Sequence, residues 1–500
     1  MIIFMYLNEL LEGITEVKSV LNPRITGLCQ DSRLLRPGDL FFAYAGAQFD
    51  SRDILEDVIA KGAVAILLDP KEKQMSLPAI VPVIPIKNLT HYLGLIAARF
   101  YGHPSEHMSV IGITGTNGKT SCTHFLAQCL QQLDQSCGVI GTLGNGLYPC
   151  LKPGLLTTPD AIELQQLLAE FRTQKVKTVL MEVSSHRLAQ QRLNGMAFSI
   201  AAFTNLTRDH LDYHGSMQEY ARAKRTFFDL PGVQQVVLNA YDPYGQAWIS
   251  ELADQLPVVA YSISRSQAAL TQPIPHVTLK RYEFNRQGLQ AEVTTPWGDI
   301  TIKNPFLIGK FNLSNLLLVV TVLKLLGYSL AGIARAVANL KGVKGRMEAF
   351  YTSDKPLVVI DYAHTPDALQ QALNALRAHC QGSLYCVFGC GGDRDKGKRP
   401  LMASVAEQCA DYLVLTNDNP RFEDPALIIQ AIQQGLSGTK PVHIEQDRQC
   451  AIAYAIEKAK AEDVILVAGK GHETYQLVAG IKHPFSDAVE VSNLLYSGKV

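Results

Sequence analysis

The sequence predicts an α/β protein with more than one domain, and three observations lead to this fold class. The chain has 500 residues, and a single hydrophobic core stops growing beyond roughly 250–300 residues. Short apolar segments that read as buried strands alternate with longer segments that read as helices. In the C-terminal third, nearly every predicted strand ends in a charged or glycine-rich loop, as expected at the carboxyl edge of a parallel sheet.

We predict three domains, at residues 1–107, 108–343 and 344–500. The first is a small N-terminal α/β domain, with strands in DLFFAYAG and AVAILLD and a helical stretch near Ile54–Lys61. The boundary between the second and third lies near Gly342–Gly345, where GVKG places two glycines in close succession.

The central domain opens with a predicted strand, MSVIGITGT, and a helix, KTSCTHFLAQCLQQLD. The strands TVLMEVSSH, AAFTNLTRDH and QVVLNAYDP follow, and each ends in polar residues. A β-rich insertion is predicted over 258–308, and a helical run from Asn312 to about Asn339. The apolar stretch 316–328 is shorter than the ~20 residues of a membrane span and contains Lys324, so we predict a buried helix.

The C-terminal domain repeats a strand–loop–helix pattern. Its predicted strands are PLVVID, LYCVFG, YLVLTN, PVHIE and VILVAG, and helices such as PDALQQALNALRAHC lie between them. Apolar strands that alternate with helices predict a doubly wound, Rossmann-like parallel sheet, and such sheets bind ligands at the carboxyl ends of their strands.

Composition restricts the function classes. Lys plus Arg and Asp plus Glu both number 46, so the chain has no general electrostatic attraction to nucleic acid or to anionic membranes. None of the 10 cysteines has CxxC spacing, which disfavours a zinc site and indicates reduced, mostly buried thiols. The start, MIIFMYLNELLEG, lacks the features of a signal peptide. We therefore expect a cytoplasmic protein, with no membrane insertion and no nucleic-acid partner, and we expect a monomer.

The segment Ile113–Ser121, ITGTNGKTS, predicts a phosphate-binding loop between a strand and a helix. Backbone N–H groups of such a loop can surround a phosphate, Lys119 can reach the outer phosphates, and the Thr120 hydroxyl can hold Mg²⁺. The central domain is therefore predicted to be of the P-loop type. The strict GxxxxGK[ST] pattern requires glycine where Ile113 stands, so the alternative is an ordinary turn before a helix. GCGGDRDKG does not fit GxGxxG because of Arg394, which disfavours a dinucleotide-dependent dehydrogenase.

Further motifs give this loop a family context. They are EVSSHRLAQQR, TNLTRDHLDYHG, YARAKRTFF, GKFNLSNLL, GVKGRME, DYAHTPDAL, GGDRDKGKRP, DNPR and GKGHE. Together with TGTNGKT they resemble the Mur ligases of peptidoglycan synthesis across nearly the whole chain. The resemblance implies three domains and an ATP- and Mg²⁺-dependent ligase that adds meso-2,6-diaminopimelate to UDP-N-acetylmuramoyl-L-alanyl-D-glutamate through an acyl phosphate. It thereby implies a role in cell-wall synthesis, cell shape and cell division.

The resemblance also implies a catalytic and metal-binding set of Lys119, Thr120, Glu182, His210 and Lys224. Glu182 and His210 are expected in loops that follow strands, and Lys224 is expected to be carbamylated, which would turn a cation into an anionic oxygen ligand. Without the motif, Lys224 would be interpreted as a solvated helix lysine. His214 is a nearby alternative ligand that we interpret as structural.

The nucleotide and acceptor positions follow from the same resemblance. The ATP-binding positions are Gly115, Thr116, Asn117, Gly118, Lys119, Thr120, Ser121, Asn312, Asn315, Arg346, Asp361 and His364. The UDP-substrate positions are Gln30, Ser32, Ala47, Gln48, Phe49, Thr157, Thr158, Ser184, Gln190 and Arg192. Simpler alternatives are a helix cap at Asn312, an ordinary strand-end carboxylate at Asp361, and turn or cap chemistry at Ser184 or Ser185.

The amino-acid positions lie in the third domain. They are Arg394, Asp418, Asn419, Pro420, Arg421, Gly469 and Glu473. Diaminopimelate carries one carboxylate more than lysine, and the Arg421 guanidinium offers the planar donor pair that a carboxylate needs. An arginine placed for that carboxylate would reject lysine, because the guanidinium would stay unpaired. DNPR can otherwise be a turn with a surface arginine. The competing functions are a lysine-adding ligase, a folylpolyglutamate synthase-like ligase and a non-enzymatic nucleotide switch.

Overall fold

The computed structural model describes residues 4–17, 21–46, 49–70, 80–152, 158–263, 273–285, 288–305, 307, 309–352, 354–377 and 379–496. Two compact units are present. Unit 1 comprises Met1–Thr114, Ser136–Ala201 and Ala223–Val236, and unit 2 comprises Gly115–Gln135, Ala202–Arg222 and Val237–Val500. The division into three domains stays a prediction.

The secondary structure mixes short strands with helices along the whole chain. The strands are β1 (Met5–Tyr6), β2 (Arg24–Ile25), β3 (Gly27–Cys29), β4 (Asp39–Ala43), β5 (Ala65–Leu68), β6 (Val83–Pro85), β7 (Ser109–Thr114), β8 (Cys137–Gly141), β9 (Gly144–Leu147), β10 (Thr178–Glu182), β11 (Ala197–Phe198), β12 (Ile200–Phe203), β13 (Gly232–Val233), β14 (Val236–Asn239), β15 (Val258–Ser262), β16 (His276–Asn285), β17 (Gly288–Thr295), β18 (Gly298–Asn304), β19 (Glu348–Phe350), β20 (Leu357–Asp361), β21 (Leu384–Phe388), β22 (Tyr412–Leu415), β23 (Val442–Ile444), β24 (Val464–Ala468), β25 (Tyr475–Val478) and β26 (Ile481–Pro484). The α-helices are α1 (Leu7–Leu10), α2 (Leu55–Ala60), α3 (Leu89–Phe100), α4 (Lys119–Gln132), α5 (Ala161–Thr173), α6 (Ser185–Ala189), α7 (Leu211–His214), α8 (Met217–Arg225), α9 (Pro243–Leu252), α10 (Lys310–Leu325), α11 (Leu330–Ala338), α12 (Pro366–Arg377), α13 (Lys398–Cys409), α14 (Pro425–Gln433), α15 (Arg448–Lys458) and α16 (Asp487–Tyr496). Short 3-10 helices occupy Ser51–Asp53, Pro104–His107 and Thr226–Asp229.

Unit 1 contains two groups of parallel strands. In the first, β3, β4, β5 and β6 pair in that order, and all three pairings are parallel. Every residue of β4 and β5 is buried, because this sheet packs against apolar side chains on both faces. In the second, β10 pairs in parallel with β7 and with β8, and β8 forms an antiparallel hairpin with β9. Helix α2 confirms the helical stretch predicted near Ile54–Lys61.

The first part of unit 2 contains the predicted insertion and the long apolar helix. Strand β15 pairs in parallel with β16, and β16, β17 and β18 form an antiparallel meander, which confirms the β-rich segment. Helix α10 is buried along most of its length and packs against α4. Among the described residues, no helix is long and apolar enough to cross a membrane.

The C-terminal part of unit 2 is a six-stranded sheet in the order β19-β20-β24-β21-β22-β23. All pairings are parallel except that of the edge strand β19 with β20. Helices α12, α13 and α14 supply one apolar cluster of this domain, and α15 and α16 supply another. The predicted α/β class and the doubly wound C-terminal sheet are confirmed. Strand β19 and the antiparallel hairpin β25–β26 were not predicted.

Candidate functional site

The predicted phosphate loop runs from the end of β7 to the start of α4. Gly115 has φ +148° and Gly118 has φ +86°, conformations that favour glycine. A Cβ at Gly115 would lie 1.9 Å from Thr204 Oγ1, and one at Gly118 would lie 2.7 Å from Asn315 Oδ1. Lys119 Nζ donates to the carbonyls of Gly115 at 2.7 Å and Thr116 at 2.9 Å. The turn therefore needs its glycines, and its lysine ammonium lies against the loop itself.

The TNLT segment that follows β12 holds this loop in shape. Asn205 accepts from the Thr116 N–H through its carbonyl, at 2.8 Å, and from the Asn117 N–H through Oδ1, at 2.9 Å. Thr204 Oγ1 and Asn205 Nδ2 donate to the Asn117 carbonyl, at 2.6 Å and 3.2 Å. Thr204 and Asn205 were not among the predicted site residues, because their partners in the phosphate loop lie almost ninety positions away in the sequence.

Asn312 and Asn315 lie one turn apart on α10 and are both buried. Asn315 Nδ2 donates to Asn312 Oδ1 at 3.1 Å, and Asn315 Oδ1 is the atom that approaches Gly118. The helix N-cap is Gly309, so the alternative interpretation of Asn312 as a cap is wrong. This pair connects α10 to the first residues of α4.

Glu182 is the last residue of β10 in unit 1 rather than part of the following loop, which corrects the expected placement. Its side chain is fully buried, and its two oxygens accept from Thr142, from the N–H at 2.9 Å and from Oγ1 at 3.0 Å. A Cβ at Gly141 would meet Glu182 Oε1 at 2.3 Å. A buried carboxylate with fixed donors is held in one orientation.

Lys224 lies near the end of α8 and is only 1 % exposed. The alternative interpretation of a solvated helix lysine is therefore wrong. An ammonium buried in this way requires a compensating charge or a chemical change that removes its own charge.

His210 has φ +54° and stands immediately before α7, with its ring partly exposed. Its Nε2 lies 3.4 Å from Asp209 Oδ2, and the same oxygen lies 3.5 Å from His364 Nε2. Burial opposes ionisation of Asp209, but the hydrogen bond and charge of His364, with the charges of His210 and Lys398, outweigh it and hold the Asp209 pKa well below its ordinary value. His214 stacks on Tyr220, with ring centroids 5.0 Å apart, in line with a structural role.

An oxygen donor for a metal ion stands beside the phosphate loop. In the described ranges, no three His, Cys, Asp or Glu side chains are grouped so as to hold a metal. The Thr120 hydroxyl is an oxygen donor of the type that Mg²⁺ prefers, and it stands at the start of α4 directly after the glycine turn. The donor set therefore suits a magnesium ion that brings nucleotide oxygens with it.

The predicted UDP-substrate positions begin in the N-terminal part of unit 1. Gln30 Oε1 accepts from the Tyr44 hydroxyl at 2.9 Å, and Phe49 is 60 % exposed. Ser32 is partly exposed, and its carbonyl lies 3.4 Å from Lys61 Nζ. Ala47, Gln48 and Thr157 lie outside the described residues. Burial raises the pKa of Tyr44, and the Arg192 charge opposes this rise. Tyr44, which donates to Gln30, was not among the positions predicted from the sequence.

Thr158 and the segment Ser184–Arg192 form the second part of this predicted set. Thr158 is buried, its Oγ1 donates to the Glu182 carbonyl at 2.8 Å, and its carbonyl accepts from Arg187 Nε at 2.8 Å. Ser184 occupies the N-cap position of α6 without a capping bond from its side chain. Gln190 Oε1 lies 3.5 Å from Arg187 Nη1. Thr158 thus stabilises this turn, because its hydroxyl and its carbonyl both make hydrogen bonds.

The predicted amino-acid site lies at the carboxyl ends of β21, β22 and β24. Asp418 and Asn419 follow β22, and Gly469 and Glu473 follow β24. Asn419 Nδ2 donates to Glu473 Oε2 at 2.8 Å. Gly469 has φ +113°, and a Cβ there would lie 2.5 Å from Asp418 Oδ2. Four of the predicted positions therefore come together within one group of loops.

Arg421 and Arg394 border the same loops. Arg421 has φ +54°, and its Nη1 donates to the Gly392 carbonyl at 2.8 Å. A Cβ at Gly391 would lie 2.7 Å from Arg421 Nη1 and 3.8 Å from Arg394 Cγ. A Cβ at Gly392 would overlap the Pro420 carbonyl oxygen. The Arg421 guanidinium thus contacts the backbone of the loop after β21, and the Arg394 guanidinium donates to the Asp393 carbonyl of that same loop.

Unit 2 also brings the phosphate loop and the segments from residue 344 onward into contact. Arg346 Nη2 lies 3.4 Å from Thr120 Oγ1, and Asn117 Nδ2 lies 3.4 Å from Asp367 Oδ2. Arg208 donates to the Asp395 carboxylate at 3.2 Å and 3.3 Å.

Arg346 and Asp361 lie at this same contact with the phosphate loop, and Asp361 holds the residue that follows Arg346. The Arg346 guanidinium lies over the Tyr362 ring at 4.2 Å, and Asp361 Oδ2 accepts from the Met347 N–H at 2.7 Å. Burial raises the pKa of Asp361, and the Arg346 charge opposes this. Asp361 is thus more than a strand-end carboxylate, because it anchors the residue next to Arg346.

Three comparisons with known proteins agree with this geometry. Descriptions of the Mur ligase family match three successive segments: "Mur ligase family, catalytic domain" at residues 24–101, "Mur ligase middle domain" at 113–323 and "Mur ligase, glutamate ligase domain" at 345–471. UDP-N-acetylmuramoyl-L-alanyl-D-glutamate–2,6-diaminopimelate ligase of Coxiella burnetii is 48% identical over 490 residues, which cover 98% of this chain and 99% of that protein. The Pseudomonas aeruginosa protein of the same name is 46% identical, with 95% of this chain and 96% of that protein covered.

Solved structures give the same result. A structure of a UDP-N-acetylmuramoyl-L-alanyl-D-glutamate–2,6-diaminopimelate ligase superposes with a TM-score of 0.71 at 34% identity, and 99% of each chain is covered. MurF from Acinetobacter baumannii, at 18% identity and a TM-score of 0.66, shares the fold. Since the similarity extends over almost the whole sequence and all three family segments match in order, the chain belongs to the Mur ligase family.

Proposed function

We propose that the protein is an ATP-dependent ligase that adds meso-2,6-diaminopimelate to UDP-N-acetylmuramoyl-L-alanyl-D-glutamate. The observation that carries the proposal is that basic and acidic side chains are grouped at the C-terminal loops. Arg421 and Arg394 border Gly391, while Asp418 and Glu473 lie beside Asn419. An amino acid with an ammonium and a carboxylate at its far end matches such a set. The names of the relatives from Coxiella burnetii and Pseudomonas aeruginosa support the same substrates.

The phosphate loop is assigned to ATP in this proposal. Gly115–Ser121 presents N–H groups at the start of α4, where the helix dipole favours negative charge. Lys119 would exchange its loop carbonyls for phosphate oxygens, and Arg346 is close enough to Thr120 to act at the same phosphates. Mg²⁺, once bound with the nucleotide, would neutralise phosphate charge, and Thr120 would contribute an oxygen to it.

Catalysis in this scheme depends on positioning and charge rather than on a nucleophilic side chain. The acceptor carboxylate attacks the γ-phosphorus of ATP, the bond to the β,γ-bridging oxygen breaks, and ADP leaves. The acyl phosphate that forms has a good leaving group. The neutral amine of diaminopimelate then attacks the acyl carbon, the carbon–oxygen bond to phosphate breaks, and inorganic phosphate and the amine proton are released. Lys119 stabilises the charge that develops on the transferred group, and fixed donors such as Arg346 align it.

The remaining expectations belong to this proposal. We keep the metal-binding roles of Glu182, His210 and Lys224, with Lys224 carbamylated, and the burial of Lys224 supports a modified or paired amine. The UDP-substrate positions, the three domains, the cytoplasmic location and the monomeric state also stay predictions. Mass spectrometry of the Lys224 peptide, prepared with and without bicarbonate, tests the carbamate.

The decisive experiment measures phosphate release with ATP, Mg²⁺ and UDP-N-acetylmuramoyl-L-alanyl-D-glutamate, with diaminopimelate and lysine compared as the second substrate. We expect turnover with diaminopimelate and little with lysine. Arg421→Met should abolish the preference, whereas Phe422→Ala, at a neighbouring side chain that is 79% exposed, should leave it intact. Equal or greater turnover with lysine would assign the lysine-adding function instead. Release of phosphate only with a folate and glutamate would assign the folylpolyglutamate synthase-like function.

A further inference from the structure

Lys470 is a fully buried lysine between the two loops of the proposed amino-acid site. It stands in GKGHE, directly after Gly469, and its side chain has no exposed surface. Its Nζ donates to Glu473 Oε2 at 2.8 Å and to Asn419 Oδ1 at 3.1 Å. A buried ammonium is tolerated only when its charge and its N–H groups are compensated in this way.

These contacts close a triangle of three side chains. Asn419 Nδ2 donates to the same Glu473 Oε2 at 2.8 Å, so one carboxylate oxygen accepts from both partners. Asn419 Oδ1 also accepts from the Leu477 N–H at 2.9 Å. If the Asn419 amide were flipped, its NH₂ group would face the donors of Lys470 and Leu477, and both of these hydrogen bonds would be lost. The orientation of the Asn419 amide is therefore fixed.

The triangle uses only part of what Asn419 and Glu473 can bind. Its contacts involve one N–H of the Asn419 amide and one oxygen of the Glu473 carboxylate. Each group has a second position of the same kind, an N–H donor on Asn419 and the acceptor Oε1 on Glu473. A donor suits a carboxylate and a charged acceptor suits an ammonium, and diaminopimelate offers both at one end.

We propose that Lys470 is a positioning residue for the amino-acid substrate, which orients Asn419 and Glu473 so that the remaining N–H and the remaining oxygen face the incoming amino acid. The proposal rests on the proposed function and deepens it. Lys470 acts through its two partners and does not touch the substrate. Its charge also offsets that of Glu473, so that the carboxylates of Asp418 and Glu473 can lie in neighbouring loops.

The test compares Lys470→Met, which removes the charge at similar length, with Lys355→Met. Lys355 lies before β20, at the opposite edge of the same sheet, where its Nζ donates to the Leu494 carbonyl. In Lys470→Met we expect the KM for diaminopimelate to rise roughly tenfold or more, the effect of losing one charge-assisted contact. The KM values for ATP and for the UDP substrate should stay within about twofold of wild type. Lys355→Met should change none of the three.

Two further variants separate positioning from folding. Lys470→Gln keeps one donor group, so its KM for diaminopimelate should lie between those of wild type and Lys470→Met. In an Asn419→Ala background, Lys470→Met should raise that KM by a smaller factor than in wild type, because one of the two oriented groups is already gone. Thermal unfolding establishes that each variant is folded before its kinetics are compared.

The possible failures are distinguishable. If the wild type does not use diaminopimelate, the proposed function is wrong. If the wild type does, and Lys470→Gln or Lys470→Met raises all three KM values alike, or leaves the KM for diaminopimelate unchanged, Lys470 is structural and the positioning role is wrong. If the double variant raises the KM for diaminopimelate by the full product of the two single-variant factors, Lys470 does not act through Asn419.

Discussion

Replacing Asp487 by asparagine should weaken the C-terminal domain more than any change to a surface ion pair. Asp487 and Arg448 are completely buried and form a two-pronged pair, with Nε to Oδ1 at 2.7 Å and Nη2 to Oδ2 at 2.8 Å. Arg448 also donates to the Ala468 carbonyl at 2.9 Å and to the Asn417 carbonyl at 3.3 Å. Burial opposes the charge of Arg448, but the charge of Asp487 outweighs it and raises the pKa of Arg448.

The magnitude follows from what the substitution leaves behind. Removing one partner of a buried ion pair costs about 3–5 kcal/mol, because the other charge stays uncompensated. Asp487→Asn keeps the shape and one acceptor oxygen, so we expect the lower end, about 3 kcal/mol. For a domain of ordinary size this corresponds to a fall in Tm of roughly 6–12 °C. The carbonyls that Arg448 holds precede Asp418 and Gly469, so the KM for diaminopimelate should rise as well.

Thermal and urea unfolding of the whole chain measure the effect. Tyrosine and tryptophan fluorescence is the signal that reports unfolding. Asp299→Asn is the matched control, because the pair of Asp299 with Lys280 is about half exposed on both sides. That substitution should change Tm far less than Asp487→Asn, because solvent and salt screen an exposed pair. The double variant Arg448→Met/Asp487→Leu should lose less than the two single losses added together, because no lone charge remains. If Asp487→Asn and Asp299→Asn lower Tm equally, the argument from burial is refuted.

Three shorter predictions concern other groups. Lys119→Met should lower the rate of phosphate release roughly 10²–10³-fold with little change in Tm, since the lysine lies against loop carbonyls and acts on charge that develops during transfer; an unchanged rate would remove the loop from catalysis. Arg421→Lys keeps the charge but loses the planar donor pair, so kcat/KM for diaminopimelate should fall by roughly tenfold to a hundredfold without a gain for lysine. Hydrogen bonds from Ser437, with burial opposing them and Thr439 adding to them, lower the pKa of Glu407 to about 2. The ionised Glu407 carboxylate therefore stabilises the folded protein above the pKa that Glu407 has in the unfolded chain. This stabilisation is lost as pH falls from about 4.5 to about 2. Glu407→Gln should flatten the dependence of Tm on pH in that window, and an unchanged slope would contradict the assignment.

Sequence patterns predicted those parts of the fold that short-range periodicity controls. The five parallel strands of the C-terminal sheet were all found. Four of them are mostly buried, and a strand buried on both faces is a continuous apolar run. The edge strand Glu348–Phe350 and the hairpin Tyr475–Pro484 were missed. They are exposed or half-buried and only three or four residues long, so they have little apolar pattern of their own, and pairing with a neighbour defines them.

Local residue patterns did not predict the burial of Lys224 or the position of Glu182. Without the motif, Lys224 was interpreted as a solvated helix lysine, yet it is only 1 % exposed. Glu182 was expected in a loop, yet it ends a strand with its carboxylate held by Thr142. The Glu182 carboxylate is held by a residue 40 positions away in the sequence, which no local pattern shows. The family resemblance pointed to both residues where periodicity did not.

Lys470 was not found from its motif, because one of its two partners, Asn419, lies outside that motif. Within GKGHE, the resemblance pointed to Gly469 and Glu473 and passed over the lysine between them. The reason for a lysine there is Asn419 Oδ1, which belongs to a different strand end 51 positions away. A Cβ on Gly469 would meet Asp418. The loops that follow β22 and β24, on either side of β21, therefore approach closely, and this approach both requires a glycine and buries the ammonium beside it. The glycine and the lysine are thus two consequences of one close packing of loops, and a substitution that widens this approach should disturb Asn419 and Glu473 together.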